Sequence, residues 1–591
     1  MVRVSEKEQV RVAVIDFKKC APQKCNWLCM RVCPVNRLGK DCIVKAEDGF
    51  PRISERLCTA CRICVHKCPF KAISIVNLSP KLGHVVHSYG ENFYRLYGLP
   101  VPSRGKVVGL IGRNGIGKTT AMKILSGKIV PSIDKSNGYE AIIDLFKGSE
   151  LQAYFELLAL GELKCSFKPQ DINSIPLAFK GTVGEMLEQV NETNKFDEVV
   201  KDFELEKVLN HSVRRISGGE LQRAAIAASI LRNADFYFFD EPSSYLDARE
   251  RLFIAGKIRS LAGQGKYVMV VEHDLAVLDY LSDYVHVIFG SRGVYGVISD
   301  RMSVRNGINQ YLEGYLKSEN LRFREKEISF HVSAPSESRE KERFIEFPSF
   351  SKTLSSFYLE AKAGEIRKGE VLGILGPNAI GKTTFVKVLA GILKPDSGKI
   401  NLGLEVAYKP QYLKPEKEMR VREFFDSQSL DRQAFQQEAV PRFGLKDLME
   451  RRLGELSGGE LQKVAVSATM CRDSHLFLLD EPSAFLDVEE RLSTAQFIRS
   501  LTTKSGKAAL VVDHDILFQD YLCDRLMVFD GVPAVKGKAH SPVPMAEGMN
   551  HFLKSLNVTY RRDPNTGRPR ANKPGSSKDQ EQKKKNKYYY A

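Results

Sequence analysis

The chain has 591 residues, 43% apolar and 27% charged, which is globular composition and too long for one hydrophobic core; about three to five domains are expected. No apolar run approaches the ~18 residues of a membrane helix, and Met1–Gln9 alternates charges where an apolar leader would stand, which argues against a membrane domain or a secretion signal and for a cytoplasmic protein. The net charge of +16 sits at the ends, +8 over residues 1–80 and +7 over 561–591, so a polyanion, nucleic acid first, is the expected partner, with a solvated tail as the plain alternative.

Nine of the 12 cysteines precede residue 70, a crowding that points to metal binding over disulfides. Cys58, Cys61, Cys64 and Cys68, followed by Pro69, reproduce the bacterial ferredoxin run; Cys20, Cys25, Cys29 and Cys33, followed by Pro34, form a looser second one. Eight thiolates can hold two [4Fe–4S] clusters. In two-cluster ferredoxins each run gives three ligands to one cluster and its fourth to the other. That rule assigns Cys58, Cys61, Cys64 and Cys33 to one cluster, and Cys20, Cys25, Cys29 and Cys68 to the other. Structural zinc, the alternative, favours separated cysteine pairs. Residues 1–80 therefore read as an α+β ferredoxin-like module.

Residues 81–302 begin a pattern that is later repeated. The apolar strand Val107–Ile111 runs into Gly112-Arg113-Asn114-Gly115-Ile116-Gly117-Lys118-Thr119, then a helical pattern that includes Thr120. This is a P-loop: its glycines let backbone N–H groups face phosphates, Lys118 neutralises β/γ charge, and Thr119 offers a hydroxyl to Mg²⁺. Gly138–Leu163 reads as an insert of two short amphipathic helices joined at Lys147–Ser149, from the spacing of Ile142, Leu145, Phe146, Leu151, Tyr154, Phe155 and Leu158. The apolar run Phe236–Phe239 then delivers Asp240 to the Mg²⁺ shell and Glu241 to the attacking water.

After a polar linker over 303–345, residues 346–545 repeat the pattern. Lys382 matches Lys118 at an offset of 264, Gln411 matches Gln170 at 241, Ser457 and Asp480 match Ser217 and Asp240 at 240, and His514 matches His273 at 241. The second P-loop is Gly376-Pro377-Asn378-Ala379-Ile380-Gly381-Lys382-Thr383, followed by Thr384, and Leu476–Leu479 precedes Asp480-Glu481. Ala379 replaces the glycine found at Gly115, which adds strain if the position needs φ > 0. Asp513 stands where the first copy has Glu272. Both differences predict sites of unequal affinity or rate. Beyond 545 the chain turns basic and loses periodicity, and Gln580–Lys587 reads as disordered.

Ser217-Gly218-Gly219-Glu220 and Ser457-Gly458-Gly459-Glu460 resemble the ABC signature, and the fold class follows: α/β, two tandem ABC-type nucleotide-binding domains behind an iron–sulfur module. The resemblance implies that Ser457 and Gly459 complete the ATP site on Lys118, and Ser217 and Gly219 the site on Lys382. It implies Q-loop roles for Gln170 and Gln411 toward Mg²⁺ and water, D-loop roles for Asp247 and Asp487, and γ-phosphate contact for His273 and His514. Tyr89 and Tyr94 are the adenine-stacking candidates of the first site; Phe350, Phe357 and Tyr358 stay open for the second.

Two cysteine runs followed by two such domains closely resemble the subfamily-E ABC proteins, the ribosome recycling ATPases once called RNase L inhibitors. The resemblance extends to the helical insert and to two hinge-like segments, Arg305-Asn306-Gly307-Ile308-Asn309 and Tyr560-Arg561-Arg562-Asp563-Pro564 with Gly567-Arg568-Pro569-Arg570. It implies a monomer that splits ribosomes after termination or stalling: ATP closes the twin domains, which swings the iron–sulfur module between the subunits. The implied partners are the ribosome, mainly its small subunit and rRNA, a release factor or its stalled-ribosome homologue, and initiation factors. The other classes weighed are a transporter ATPase, a nucleic-acid repair ABC ATPase and an iron–sulfur-linked ATPase without a ribosomal role.

Overall fold

The computed structural model describes residues 10–78, 84–133, 136–328, 330, 342–400, 402–411, 413 and 416–589. Met1–Gln9, the expected boundary near residue 80 and much of the expected linker (329 and 331–341) lie outside the described residues.

The N-terminal module pairs strand Val10–Ile15 antiparallel with Ile73–Leu78, and the cysteine runs lie on and beside short helices between them. It docks on the next unit through buried Asn92, whose side chain bonds the Ala13 and Ile53 carbonyls at 3.0 Å each, and through the Glu55–Arg95 pair at 2.8 Å. Its contact with the second half is an exposed ion pair, Lys71–Asp447.

Each repeat builds a nine-stranded sheet. In the first, parallel strands Cys165–Lys168, Phe236–Asp240, Tyr267–Val271, Val107–Ile111 and Tyr284–Ser291 lie side by side, and the antiparallel hairpin strand Tyr295–Ile298 continues the sheet toward Arg95–Tyr97 and Val85–Ser88. The second repeats this order with Val406–Lys409, Leu476–Asp480, Ala508–Val512, Val371–Leu375 and Arg525–Val532. The central strands are apolar throughout because helices cover both faces. Both P-loops therefore open at the C-terminal edge of a central strand, one strand removed from the strand that ends in Asp-Glu. Helices Tyr139–Leu145 and Glu150–Ala159 fill the predicted insert and bury Ile142, Leu151, Tyr154 and Phe155.

Two expectations fail. The linker starts with an amphipathic helix, Val304–Glu313, burying Gly307, Ile308, Tyr311 and Leu312; the segment after 545 starts with its repeat, Met545–Leu556, burying Gly548, Met549, Phe552 and Leu553. The apolar i, i+3, i+4 spacing was present but sits among polar residues. The tail is also ordered. Hairpin Tyr560–Arg562/Pro569–Ala571 leads to helix Ser577–Lys584, which is held by buried polar groups: Asp579 accepts from the Thr559 hydroxyl at 2.7 Å, and Gln582 donates to the Tyr560 carbonyl at 2.9 Å. No apolar pattern announces such a helix.

The C-terminal hairpin straps the two halves. Arg570 forks onto Asp279 at 2.7 and 2.8 Å and Arg568 joins at 3.0 Å; Arg562 forks onto Asp520 at 2.9 Å twice. Asp279 lies on helix Leu275–Leu281 and Asp520 on helix Ile516–Leu522, the helices that follow His273 and His514. Asp563 accepts from Arg305 at 2.9 Å and Asn309 at 3.2 Å, so the two hinge-like segments meet.

Candidate functional site: two facing nucleotide sites

Each strand-end pair is tightly organised. Asp240 accepts from the Thr119 hydroxyl at 2.8 Å, and Asp480 from Thr383 at 2.8 Å. The next residue in each copy, Glu241 or Glu481, has φ +48°, a left-handed backbone that costs a non-glycine residue energy and turns the carboxylate out of the strand toward the P-loop. Gln170 donates to Glu241 at 2.5 Å and Gln411 to Glu481 at 2.7 Å. His273 Nε2 stands 3.3 Å from Glu241, and His514 Nε2 3.6 Å from Glu481.

This small difference has an electrostatic counterpart. Burial raises both carboxyls. At Glu241 the close approach of His273, with Lys118 and Lys168, outweighs it and brings the group down to about 2. At Glu481 burial and the neighbouring Asp480 win, and the group is raised. His514 is held well below the usual histidine range by burial, then by Lys382 and Arg251.

Sequence reasoning missed the supports beneath these carboxylates. Lys168 donates to the Asp240 and Glu241 carbonyls at 2.9 and 3.2 Å, and Lys409 to those of Asp480 and Glu481 at 2.7 and 3.1 Å. Gln222 and Gln462 donate to the Glu241 and Glu481 carbonyls at 2.9 and 2.6 Å. A signal existed: Lys168 and Lys409 sit two residues before the Q-loop glutamines in both copies.

The sites are composite. Asp487 Oδ2 accepts from the Asn114 amide at 3.1 Å, and Asp247 Oδ2 from the Asn378 amide at 2.8 Å, so each D-loop grips the opposite P-loop. A cavity of about 280 Å³ brings Ser457 and Gly459 to Asn114, Gln170, Glu241 and His273. One of about 380 Å³ brings Ser217 and Gly219 to Asn378, Gln411, Glu481 and His514. Ser217 and Ser457 cap their helices in reciprocal capping boxes with Glu220 and Glu460, leaving helix N-termini aimed at the opposite P-loop.

On the outer side, Tyr89, Tyr94, Gly117, Lys118, Thr119 and Thr120 share a cavity of about 320 Å³. Tyr94 is tucked under the P-loop, donating to the Ile116 carbonyl at 2.7 Å; Tyr89, 51% exposed, is the ring left free to stack. In the second copy Phe357 takes the place of Tyr94, against Gly381, in a cavity of about 420 Å³ that also holds Lys382, Thr383 and Thr384. Phe350 is buried on Phe385, and Tyr358 stacks with Lys536. Within the loops, Lys118 donates to the Gly112 carbonyl at 2.7 Å and Lys382 to that of Gly376 at 2.8 Å. Ala379 does lie at φ +55°, where Gly115 has +76°.

The donors fit their expected ions. Thr119 with Asp240, and Thr383 with Asp480, converge as hard oxygen ligands. In the cysteine module every thiol is free. Cys20 is pushed up to about 11 by burial, then by Cys29, Cys68 and Cys25, while Cys64 is pushed up to about 12 by burial, then by Cys58, Cys61, Cys29 and Cys33. Cys68 is thus a neighbour of Cys20 in the first run, and Cys29 and Cys33 are neighbours of Cys64 in the second. Backbone N–H groups of Ala60 and Ala72 point at Cys58 and Cys68 sulfurs at 3.4 Å, as expected around thiolate clusters.

Comparison with known proteins agrees with this architecture. Residues 102–244 and 359–484 match the ABC transporter family, residues 10–41 a possible Fer4-like domain in RNase L inhibitor, and residues 51–74 the 4Fe-4S binding domain. The chain is 49% identical over 590 residues to an uncharacterized ABC transporter ATP-binding protein of Methanocaldococcus jannaschii, covering 98% of each. It is 44% identical over 597 residues to translation initiation factor RLI1 of Saccharomyces cerevisiae, again covering 98% of each. A structure described as ribosome-bound archaeal Pelota and ABCE1 superposes with TM-score 0.93 at 54% identity, over 99% of this chain and 100% of that one. The archaeal ribosome recycling factor aABCE1, in complex with the ribosomal stalk protein aP1, gives 0.82 at 54%, over 86% and 99%. Twin ABC domains behind an iron–sulfur module, matched end to end at this identity, make the chain a member of the subfamily-E ABC ATPases, the RNase L inhibitor family, an ATP hydrolase that carries iron–sulfur clusters.

Proposed function

We propose that this chain is an ATP-driven ribosome recycling factor that acts in the cytoplasm and splits ribosomes into subunits after termination or stalling. The observation that carries it is the joining of two devices: composite ATP sites whose walls come from opposite halves, and an iron–sulfur module docked on one half through buried Asn92 and meeting the other at an exposed ion pair. Such a molecule turns closure of the halves into displacement of the module. The relatives described as ribosome-bound and as a recycling factor support this reading. Among the described residues no helix is long and apolar enough to cross a membrane, so a transporter role finds no support there.

In this mechanism Lys118 and the P-loop amides hold the β- and γ-phosphates, and Ser457 with its helix N-terminus closes on the γ-phosphate from the other half. Glu241, placed by its strained backbone and held by Gln170 and His273, orients the attacking water; Glu481, Gln411 and His514 do the same opposite. Mg²⁺, bound through Thr119, Gln170 and Asp240 or through Thr383, Gln411 and Asp480, would neutralise phosphate charge. Loss of the γ-phosphate removes the ligand shared by the two halves and weakens the closed seam. Two [4Fe–4S] clusters on the eight cysteines would serve as rigid cross-links of the module. The basic ends and the helical insert suit rRNA phosphates.

The test is sedimentation of anaerobically purified protein with ribosomes and a non-hydrolysable ATP analogue. Recovery with the small subunit is expected, and its absence would sink the proposal.

A further inference from the structure

The two sites share motifs, but their seams carry different charges. At the first seam the P-loop residue Arg113 pairs with Glu489 of the second half at 2.8 Å. Glu489 follows the Asp487 cap by two residues and is only 13% exposed in its side chain. It also takes Arg324 at 3.3 Å and the Tyr311 hydroxyl at 3.4 Å, so three groups of the first half converge on one carboxylate of the second. The repeat replaces Arg113 by Pro377 and Glu489 by Arg249, which is exposed. A proline has no charge to offer and an arginine cannot accept it, so the second seam has no equivalent pair.

A second difference lies beside the first. The hairpin after strand Tyr284–Ser291 is tied to the P-loop by the Gly293 amide on the Gly115 carbonyl at 3.0 Å; its repeat uses Ala534 on Ala379 at 2.9 Å. The preceding residues therefore correspond: Arg292 in the first site, Pro533 in the second. Arg292 lies across Gly115, where an added methyl would stand 2.7 Å from its Cγ, and it lines the first composite cavity with Ser457 and Glu460. Arg292 and Arg451 are the cations acting on Glu460, which is held below its usual range, against burial, by Ser457 hydrogen bonds and these charges. The exchange of Gly115 for Ala379 thus has a steric reason: glycine makes room for Arg292, and where proline stands instead a methyl is accommodated.

We propose that Arg113 and Arg292 are positioning residues confined to the first site, a cross-seam clamp that keeps this site closed on its nucleotide and makes it the slower of the two to reopen. The proposal rests on the reading of the two sites as composite. Neither arginine touches the reacting atoms; each acts through the facing helix, Arg113 on Glu489 and Arg292 toward Glu460.

The experiment places a donor–acceptor dye pair across each seam of the full-length cluster-loaded protein, closes it with ATP, and follows reopening after a nucleotide chase. Wild-type protein should reopen more slowly at the first seam. The Arg113→Gln/Arg292→Gln double variant should speed the first seam by about five-fold, the scale of one partly exposed ion pair with a neighbouring charge, and leave the second unchanged. Arg113→Glu should do likewise, while Arg113→Lys, which keeps the charge, should retain at least half of the wild-type delay; this conservative variant separates the pair from a folding defect. Equal reopening of both seams in wild type, unchanged first-seam reopening in the double variant, equal acceleration of both seams, or an Arg113→Lys seam as fast as Arg113→Glu would each overturn the clamp. Absence of ATP-dependent closure at either seam in wild type would instead refute the composite reading beneath it.

Discussion

Asp279→Asn tests the strap that joins the halves. The Asp279 carboxylate is 1% exposed and faces Arg568, which is 0% exposed, and Arg570, at 9%. The amide keeps one acceptor oxygen but removes the charge opposite two buried guanidinium groups. Breaking one side of a buried pair costs about 3–5 kcal/mol, because the partner charge stays desolvated. At about 2–4 °C per kcal/mol for units of this size, the cooperative melt should fall by about 6–20 °C. Acid behaviour supplies a second reading. Burial raises the Asp279 carboxyl, but the Arg570 hydrogen bond and the two arginine charges win and hold it below 3.8. Its stabilisation is therefore full above pH 3.8 and is lost as the pH falls through the lower folded value; the variant should lack that part of the acid transition. Asp279→Leu with Arg568→Met and Arg570→Leu removes every charge of the triad and should recover stability to within about 2 kcal/mol of wild type. Calorimetry with circular dichroism reads all three. An Asn variant that melts within about 2 °C of wild type would refute the claim that this buried triad holds the halves.

Separate Glu241→Gln and Glu481→Gln variants should lose turnover unequally, each slowing its own site by about 10²-fold or more; equal losses in steady-state ATPase assays would contradict the electrostatic difference between the sites. Ala379→Gly should stabilise the second P-loop by about 1 kcal/mol by relieving a left-handed alanine, whereas Gly115→Ala should weaken ATP binding at the first site by colliding with Arg292; titration with a fluorescent ATP analogue and thermal melts check both. Iron counting tests the exchanged ligands: Cys33→Ser with Cys58→Ser should lose the iron of one cluster, and Cys33→Ser with Cys20→Ser that of both. The reverse pattern would assign one cluster to each run. Ribosome association should weaken steeply with added salt if the basic ends contact rRNA phosphates, and a flat salt profile in sedimentation would count against them.

The parts legible in the sequence are those whose signal is local. P-loops, strand-end acids and signature serines each occupy a few consecutive residues and recur in the second copy, and the cysteine runs are short enough to read by spacing. Lys168 and Gln222 escaped, although both recur in the second copy beside named motifs, because they act on backbone carbonyls, a role that residue identity does not announce. The strap escaped for the opposite reason. Asp279 sits on a short buried helix, and its partners lie about 290 residues on, so only folding brings the charges together. Helix Ser577–Lys584 is held by Asp579 and Gln582, and hydropathy cannot reveal a segment kept by buried polar groups. The strain at Ala379 could be written only as a condition, since a backbone angle is not visible in a residue's identity.

The strap is also made after both halves. Every strand of both nine-stranded sheets lies upstream of it, so each half can fold, and each P-loop can form, before residue 560 is joined. The helices after His273 and His514 gain their common partner only when residues 560–589 arrive. A nascent chain thus carries two finished halves joined across the seam only by contacts such as the D-loop bonds until residues 560–589 add the strap.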